Sequence, residues 1–242
     1  MPTSADFIEG SNVSIGHLGI VAGAFDTLGI AGVVDRAIPK TRHHHLTHGD
    51  IVKAMVLNGL GFVERRLYLY PEFFSDIAVD RLLGDGVTID HLNDDVLGRT
   101  LDAIAAYGPT ELFNEIVAEC LLASDYGTHC LHVDTTTFSV SGAYDADFDS
   151  RDMTITYGHP KDGRWDLKQF VLGMATDQHG IPLFLQTFSG NESDKKTLLT
   201  IISQLTENLQ HPGKVYHIAD AAFYTAENLA TLGTHTFWIS RV

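Results

Sequence analysis

From Cys130 onward the chain is written in short β-rich runs broken by single helical segments, and this pattern constrains the fold more than any other feature. Cys130 to Val140, Gln169 to Thr176 and Leu183 to Phe188 read as three strands close together in sequence. A helix over about Asp194 to Leu209, a strand over Lys214 to Ala219, a helix over Ala226 to Leu232 and a last strand over Thr236 to Ser240 follow. Three consecutive strands predict an antiparallel meander. The later alternation of helix and strand predicts parallel additions to the same sheet. Before Ser124-Asp125-Tyr126-Gly127 the periodicity is helical instead, so a boundary is expected near residue 125: a helical domain over 1–125 and an α/β domain over 126–242.

The helical half carries recognisable end signals. Thr47-His48-Gly49-Asp50 has capping-box spacing ahead of Ile51, Val52, Met55, Leu57 and Leu60. A second helix is expected from Asn93 to Tyr107, with Val96, Leu97, Leu101 and Ile104 on its apolar face and Gly108-Pro109 as its stop. Thr110 is expected to cap a third, striped by Leu112, Phe113, Ile116, Val117 and Cys120. Shorter helical pieces are expected between His17 and Ala37 and between Pro71 and Leu83, and Tyr68, Tyr70, Phe73 and Phe74 are expected in the core. No apolar run reaches the roughly 18 residues of a membrane helix, and Met1 to Gly10 lacks the pattern of a signal peptide. Cys120 and Cys130 form no metal-site spacing and read as buried thiols of a cytoplasmic protein.

Two residues stand out as chemistry. Asp134 interrupts the strand Leu131 to Phe138, where burying a carboxylate is costly unless it is paired or bound to a metal. Asp220 closes the strand Val215 to Ala219, and strand ends are where open sheets bind ligands. Two aspartates on neighbouring strands suit Mg2+, which takes few protein oxygens and keeps its waters. Residue type alone leaves a second reading open, in which each aspartate caps a loop or a helix. His132 and His217 are expected to alternate away from the aspartates, and His43-His44-His45 reads as a solvated loop. The charge balance points away from nucleic acid: 31 acidic residues against 16 basic ones give a formal charge of −15, whereas phosphate-binding proteins usually present a basic surface. Such a composition also suits a salt-rich host.

The flanking residues carry a resemblance. Leu131-His132-Val133-Asp134-Thr135-Thr136 and Ile218-Ala219-Asp220-Ala221-Ala222-Phe223-Tyr224 resemble the first- and second-aspartate strands of DDE transposases with an RNase H-like fold. Gly158-His159-Pro160-Lys161-Asp162-Gly163-Arg164-Trp165-Asp166-Leu167-Lys168-Gln169 and Gly190-Asn191-Glu192-Ser193-Asp194-Lys195 are similar to further blocks of one insertion-sequence group, and residues such as Lys53 to Phe62 and His91 to Asp95 to its preceding helical domain. The resemblance implies an RNase H-like mixed sheet behind an all-α domain. It also implies metal-dependent cleavage and transfer of DNA strands, with Asp134 and Asp220 as catalytic metal ligands. The implied cofactor is two Mg2+ ions, with Mn2+ as a substitute. The implied partners are double-stranded DNA at transposon ends and at the target, and a second copy of the chain in a homodimer, in the cytoplasm at the nucleoid and away from membranes. Arg164, Lys168 and Lys195 are the basic residues nearest the site in sequence and are expected to contact DNA.

One departure qualifies the resemblance. The group carries its third carboxylate in a block Y-x-x-R-x-x-x-E-x-x-x-x-x-x-K after the second aspartate, and no such block occurs in these 242 residues. Glu227 is the only acid after Asp220 and lacks that context. The expectation is therefore a C-terminally truncated enzyme, inactive alone, or a non-catalytic DNA-binding or regulatory relic of a transposase. A metal nuclease unconnected with transposition would place a glutamate on the strand Phe170 to Thr176, which has none.

Overall fold

The computed structural model describes residues 13–40, 45–61, 65–121, 128–144, 153–208, 214–221, 225–232 and 236–240. The chain divides into two compact units, residues 1–108 and 109–242. This division lies earlier than the boundary expected near residue 125. The reason is packing: Leu112 and Val117 are buried, and Val117 joins the core beneath the strands.

The first unit is helical: α1 Leu18–Thr27, α2 Ile30–Ala37, α3 His48–Gly59, α4 Tyr70–Phe73, α5 Val79–Leu83 and α6 Asp94–Tyr107. Thr47 and Asp50 form the expected capping box on α3, with Asp50 N–H donating to Thr47 Oγ1 at 3.1 Å and Thr47 N–H donating to Asp50 Oδ2 at 2.9 Å. Asn93 caps α6 by accepting from Val96 N–H at 3.1 Å. Ile51, Leu57, Phe74, Leu92 and Leu97 fill the core. Within it, Lys53 is buried on α3 and pairs with the exposed Asp26 at 2.7 Å, as a buried ammonium requires. Two expectations fail here. Leu101 is 41% exposed because α6 turns Leu97 and Thr100 inward, where Thr100 bonds His48. Tyr68 is 60% exposed, while Tyr70 and Phe74 are buried. Among the described residues no single helix is long and apolar enough to cross a membrane.

The second unit opens with α7, Pro109–Ile116, and a π-helical turn, Val117–Leu121. Thr110 thus lies inside α7 rather than capping it, since proline is favoured at a first helical position. Then follow β1 Cys130–Val140, β2 Lys168–Asp177, β3 Pro182–Ser189, α8 Asp194–Asn208, β4 Tyr216–Ala219, α9 Ala226–Leu232 and β5 Phe237–Ser240. The sheet order is β3-β2-β1-β4-β5. β1 pairs antiparallel with β2, and β2 with β3; β4 joins β1 in parallel, and β5 joins β4 in parallel. This is the expected mixed sheet, three antiparallel strands followed by parallel additions. Leu198, Ile201, Ile202 and Leu205 of α8 share one core with Leu131, Val133, Ala175 and Phe184 of the sheet. The opposite face of β1 carries His132, Asp134 and Thr136, all exposed. Cys120 and Cys130 are half-buried rather than buried.

Candidate functional site

Period-two alternation decides where the aspartates point. On β1, Leu131, Val133 and Thr135 are buried while His132, Asp134 and Thr136 are exposed. The cost of burying Asp134 therefore does not arise: its carboxylate stands on the open face. His132, two residues away, shares that face, contrary to the expectation that it alternates away. His217 does alternate away and is buried.

The parallel register between β1 and β4 matches Cys130 with Tyr216, Leu131 with His217 and His132 with Ile218. Asp134 and Asp220 each lie two residues beyond the last pair. On β4, His217 and Ala219 are buried, and Asp220, the residue after the strand, is exposed, as Asp134 is on β1. Adjacent strands lie about 4.8 Å apart. Ser240 Oγ donates to the Asp220 carbonyl oxygen at 2.6 Å and ties the exit of β4 to the end of β5. Ile218, Ala219, Asp220, Ala221, Ile239 and Ser240 line an open hollow of roughly 580 Å3. The Ala222-Phe223-Tyr224 part of the second motif lies outside the described residues, as do His43, His44 and the side chain of Glu227.

Three of the sequence blocks converge on Thr135. Its N–H donates to Asp134 Oδ1 at 2.7 Å. Its hydroxyl donates to Asp194 Oδ1, at the start of α8, at 2.9 Å. Lys161 Nζ donates to its carbonyl oxygen and, at 3.2 Å, to Oγ1. Every polar group of Thr135 thus has a partner, and one oxygen of Asp134 is held by the backbone. Lys161 and Asp194 escaped sequence reasoning, because no spacing rule links a loop lysine and a helix-start aspartate to a strand threonine. Their only signal was membership of the blocks themselves.

The loop between β1 and β2 is closed by a backbone bridge, Gln169 N–H to Thr156 O at 2.9 Å. It is pinned to β1 by Ser139 Oγ donating to Asp162 Oδ2 at 2.8 Å and by Lys161 N–H donating to Thr137 Oγ1 at 3.2 Å. The Arg164 N–H and the Ser139 hydroxyl hold the Asp162 carboxyl below its ordinary range. Arg164 forks onto Asp166, with Nε and Nη2 each at 2.9 Å, and this contact lowers the Asp166 carboxyl as well. Lys168 Nζ donates to the carbonyl oxygens of Ala143 and Tyr144. Lys195 is exposed in the first turn of α8.

Two exposed carboxylates, each two residues past the last pair of neighbouring strands, offer hard oxygen donors, which fit a hydrated divalent cation that keeps several waters. Among the described residues no group of three or more His, Cys, Asp or Glu side chains is placed to hold an ion.

His217 makes a separate electrostatic statement. Its Nδ1 lies 3.1 Å from the Phe237 carbonyl oxygen, an acceptor only, so Nδ1 carries the proton. Burial lowers its pKa below the ordinary 6.5, against a smaller opposing effect of that hydrogen bond. The unfolded chain then binds a proton more readily than the folded one, so this contribution is intact above pH 6.5 and is lost as pH falls below it. Urea midpoints of the wild type should fall between pH 7 and pH 5 more steeply than those of His217→Gln. Equal slopes would contradict the assignment.

Comparison with known proteins gives two family matches. Residues 11–118 are similar to a domain of unknown function, DUF4277. Residues 127–242 are similar to the family described as Transposase DDE domain. No curated protein matches the chain. A solved structure described as the cryo-EM structure of a piggyBac transposase synaptic complex with hairpin DNA aligns with 90% of this chain at 12% identity and a TM-score of 0.39. The chain spans 41% of the length of that transposase.

Proposed function

Through residues 127–242 the chain belongs to the transposase DDE domain family, and on that premise we propose that Asp134 and Asp220 are the paired metal-binding aspartates of a site for cutting and joining insertion-sequence DNA. What supports this reading is the register: the last paired residues of the neighbouring parallel strands, His132 and Ile218, precede Asp134 and Asp220 by two positions each, and both aspartates are exposed. Membership of the family implies divalent metal ions, and the hard oxygen donors favour Mg2+, with Mn2+ as a substitute. When bound, such ions offset charge on the transferring phosphoryl group and lower the pKa of the attacking water.

The chain's own residues do the positioning. Thr135 N–H holds one oxygen of Asp134, whose side chain stands on the exposed face of β1. The bond from Ser240 fixes the backbone at Asp220. Transposon ends and target DNA are the proposed substrates, gripped by a homodimer, with Arg164, Lys168 and Lys195 as candidate contacts. Residues 1–242 hold two of the three carboxylates that the resemblance implies, and we take this polypeptide to bind element-end DNA without cutting it. That also accommodates a second reading, a regulatory protein that occupies the ends. Incubating the 242-residue chain with element-end duplex in Mg2+ or Mn2+ should give a protein–DNA complex and no strand cleavage. Robust turnover would overturn the two-carboxylate account, and failure to bind DNA at low salt would overturn the transposase reading itself.

A further inference from the structure

We propose that Lys161 is a phosphate-contacting residue of this site, its ammonium fixed in advance on the strand that carries Asp134. The inference rests on the reading of residues 127–242 as a domain that acts on DNA.

Direction comes first. The His129 carbonyl accepts from Tyr216 N–H at 3.0 Å, so it points toward β4. Carbonyls two residues apart on a strand point the same way, so those of Leu131, Val133 and Thr135 also point to the β4 side. The pairing of β1 with β4 ends at His132 and Ile218. The Thr135 carbonyl thus lies past the paired stretch, on the side where the chain runs through Asp220. Lys161 Nζ donates to that carbonyl, on the residue next to Asp134.

Fixation comes second. A lysine ammonium has three donors, and Thr135 takes two of them through its carbonyl oxygen and Oγ1. One donor is left. The backbone beneath is held too, by Lys161 N–H on Thr137 and by Asp162 on Ser139. A side chain that would otherwise lose several rotors on binding is already ordered.

Charge comes third. Arg164 is offset by its fork with Asp166. Among the described residues Lys161 forms no ion pair, and both of its side-chain partners are neutral oxygens. In a chain of formal charge −15, this ammonium has only neutral direct partners, the nearest carboxylate in its network being that of Asp194 on the far side of the Thr135 hydroxyl, and it brings a positive charge to the strand that bears Asp134. A point charge of this kind suits a phosphate oxygen.

The experiment measures affinity of the 242-residue chain for a short fluorescein-labelled duplex across a range of NaCl concentrations, for wild type, Lys161→Gln, Lys161→Met and Lys161→Arg. Glutamine keeps an N–H donor for Thr135 and removes the charge. A lost phosphate contact lowers the slope of log affinity against log salt by about 0.9. Lys161→Gln and Lys161→Met should both show that drop with unchanged far-ultraviolet circular dichroism, and Lys161→Arg should keep the wild-type slope. A purely structural lysine would weaken binding at unchanged slope, and wild-type slopes in both neutral variants would overturn the proposal. Absence of binding by the wild type would instead remove the transposase reading on which it stands.

Discussion

Gly190→Ala is expected to destabilise the second unit by more than about 3 kcal/mol, beyond the usual range for overpacking. A Cβ there would sit 2.1 Å from the Gln169 carbonyl oxygen and 2.5 Å from that of Thr156. Both neighbours are backbone, and Gln169 and Thr156 are bonded to each other in the bridge that closes the loop. Neither can yield without the other. The same point is crowded from the far side, since a Cβ on Gly158 would lie 1.8 Å from the Gly190 carbonyl oxygen. Gly173→Ala is a useful contrast: its close neighbours are side-chain atoms, Ile201 Cδ1 at 2.4 Å and Phe188 Cε2 at 2.9 Å, which shift more readily than backbone. Denaturant midpoints followed by the fluorescence of Trp165 and Trp238 should rank Gly190→Ala far below Gly173→Ala. Equal midpoints would mean that the three backbone segments do not meet as described.

That crowding explains two of the sequence blocks that carried the resemblance. Gly158 opens one and Gly190 the other, and their glycines meet. Lys161 and Asp194, from the same two blocks, then reach Thr135. The sequence announced the strands well because runs such as Leu131 to Phe138 are β-branched and apolar, and it announced α3 and α6 because Thr47, Asp50 and Asn93 are cap chemistry with local causes. What it concealed was longer in range. The alternation Leu131, His132, Val133, Asp134 already placed the aspartate on the polar face beside His132; the signal was present and period two would have read it. Leu101 and Tyr68 looked like core because local pattern cannot say which neighbour covers a residue. The division after Gly108 depends on where α7 packs, and packing between distant segments leaves no local mark.

The second large effect concerns the aspartates. Asp134→Asn and Asp220→Asn should each weaken Mn2+ binding at the site by at least about tenfold, the scale on which even outer-shell partners act at metal sites. The substitutions are nearly isosteric and lie on an exposed face, so the fold should persist. The Lys161 variants should leave a Mn2+ signal in place, which separates the cation's role from the ligands' role. An acidic chain also binds Mn2+ weakly elsewhere, so the size of one loss is less informative than how two losses combine.

The most direct test of a shared site is therefore a double-mutant cycle, with Mn2+ affinity measured by electron paramagnetic resonance for wild type, Asp134→Asn, Asp220→Asn and the double variant. Two residues that hold one ion are coupled, and their effects do not add. The expected result is a large loss for each single variant and little further loss for the double one. Losses that simply add, or wild-type affinity in either single variant, would contradict the claim that Asp134 and Asp220 bind one metal centre together.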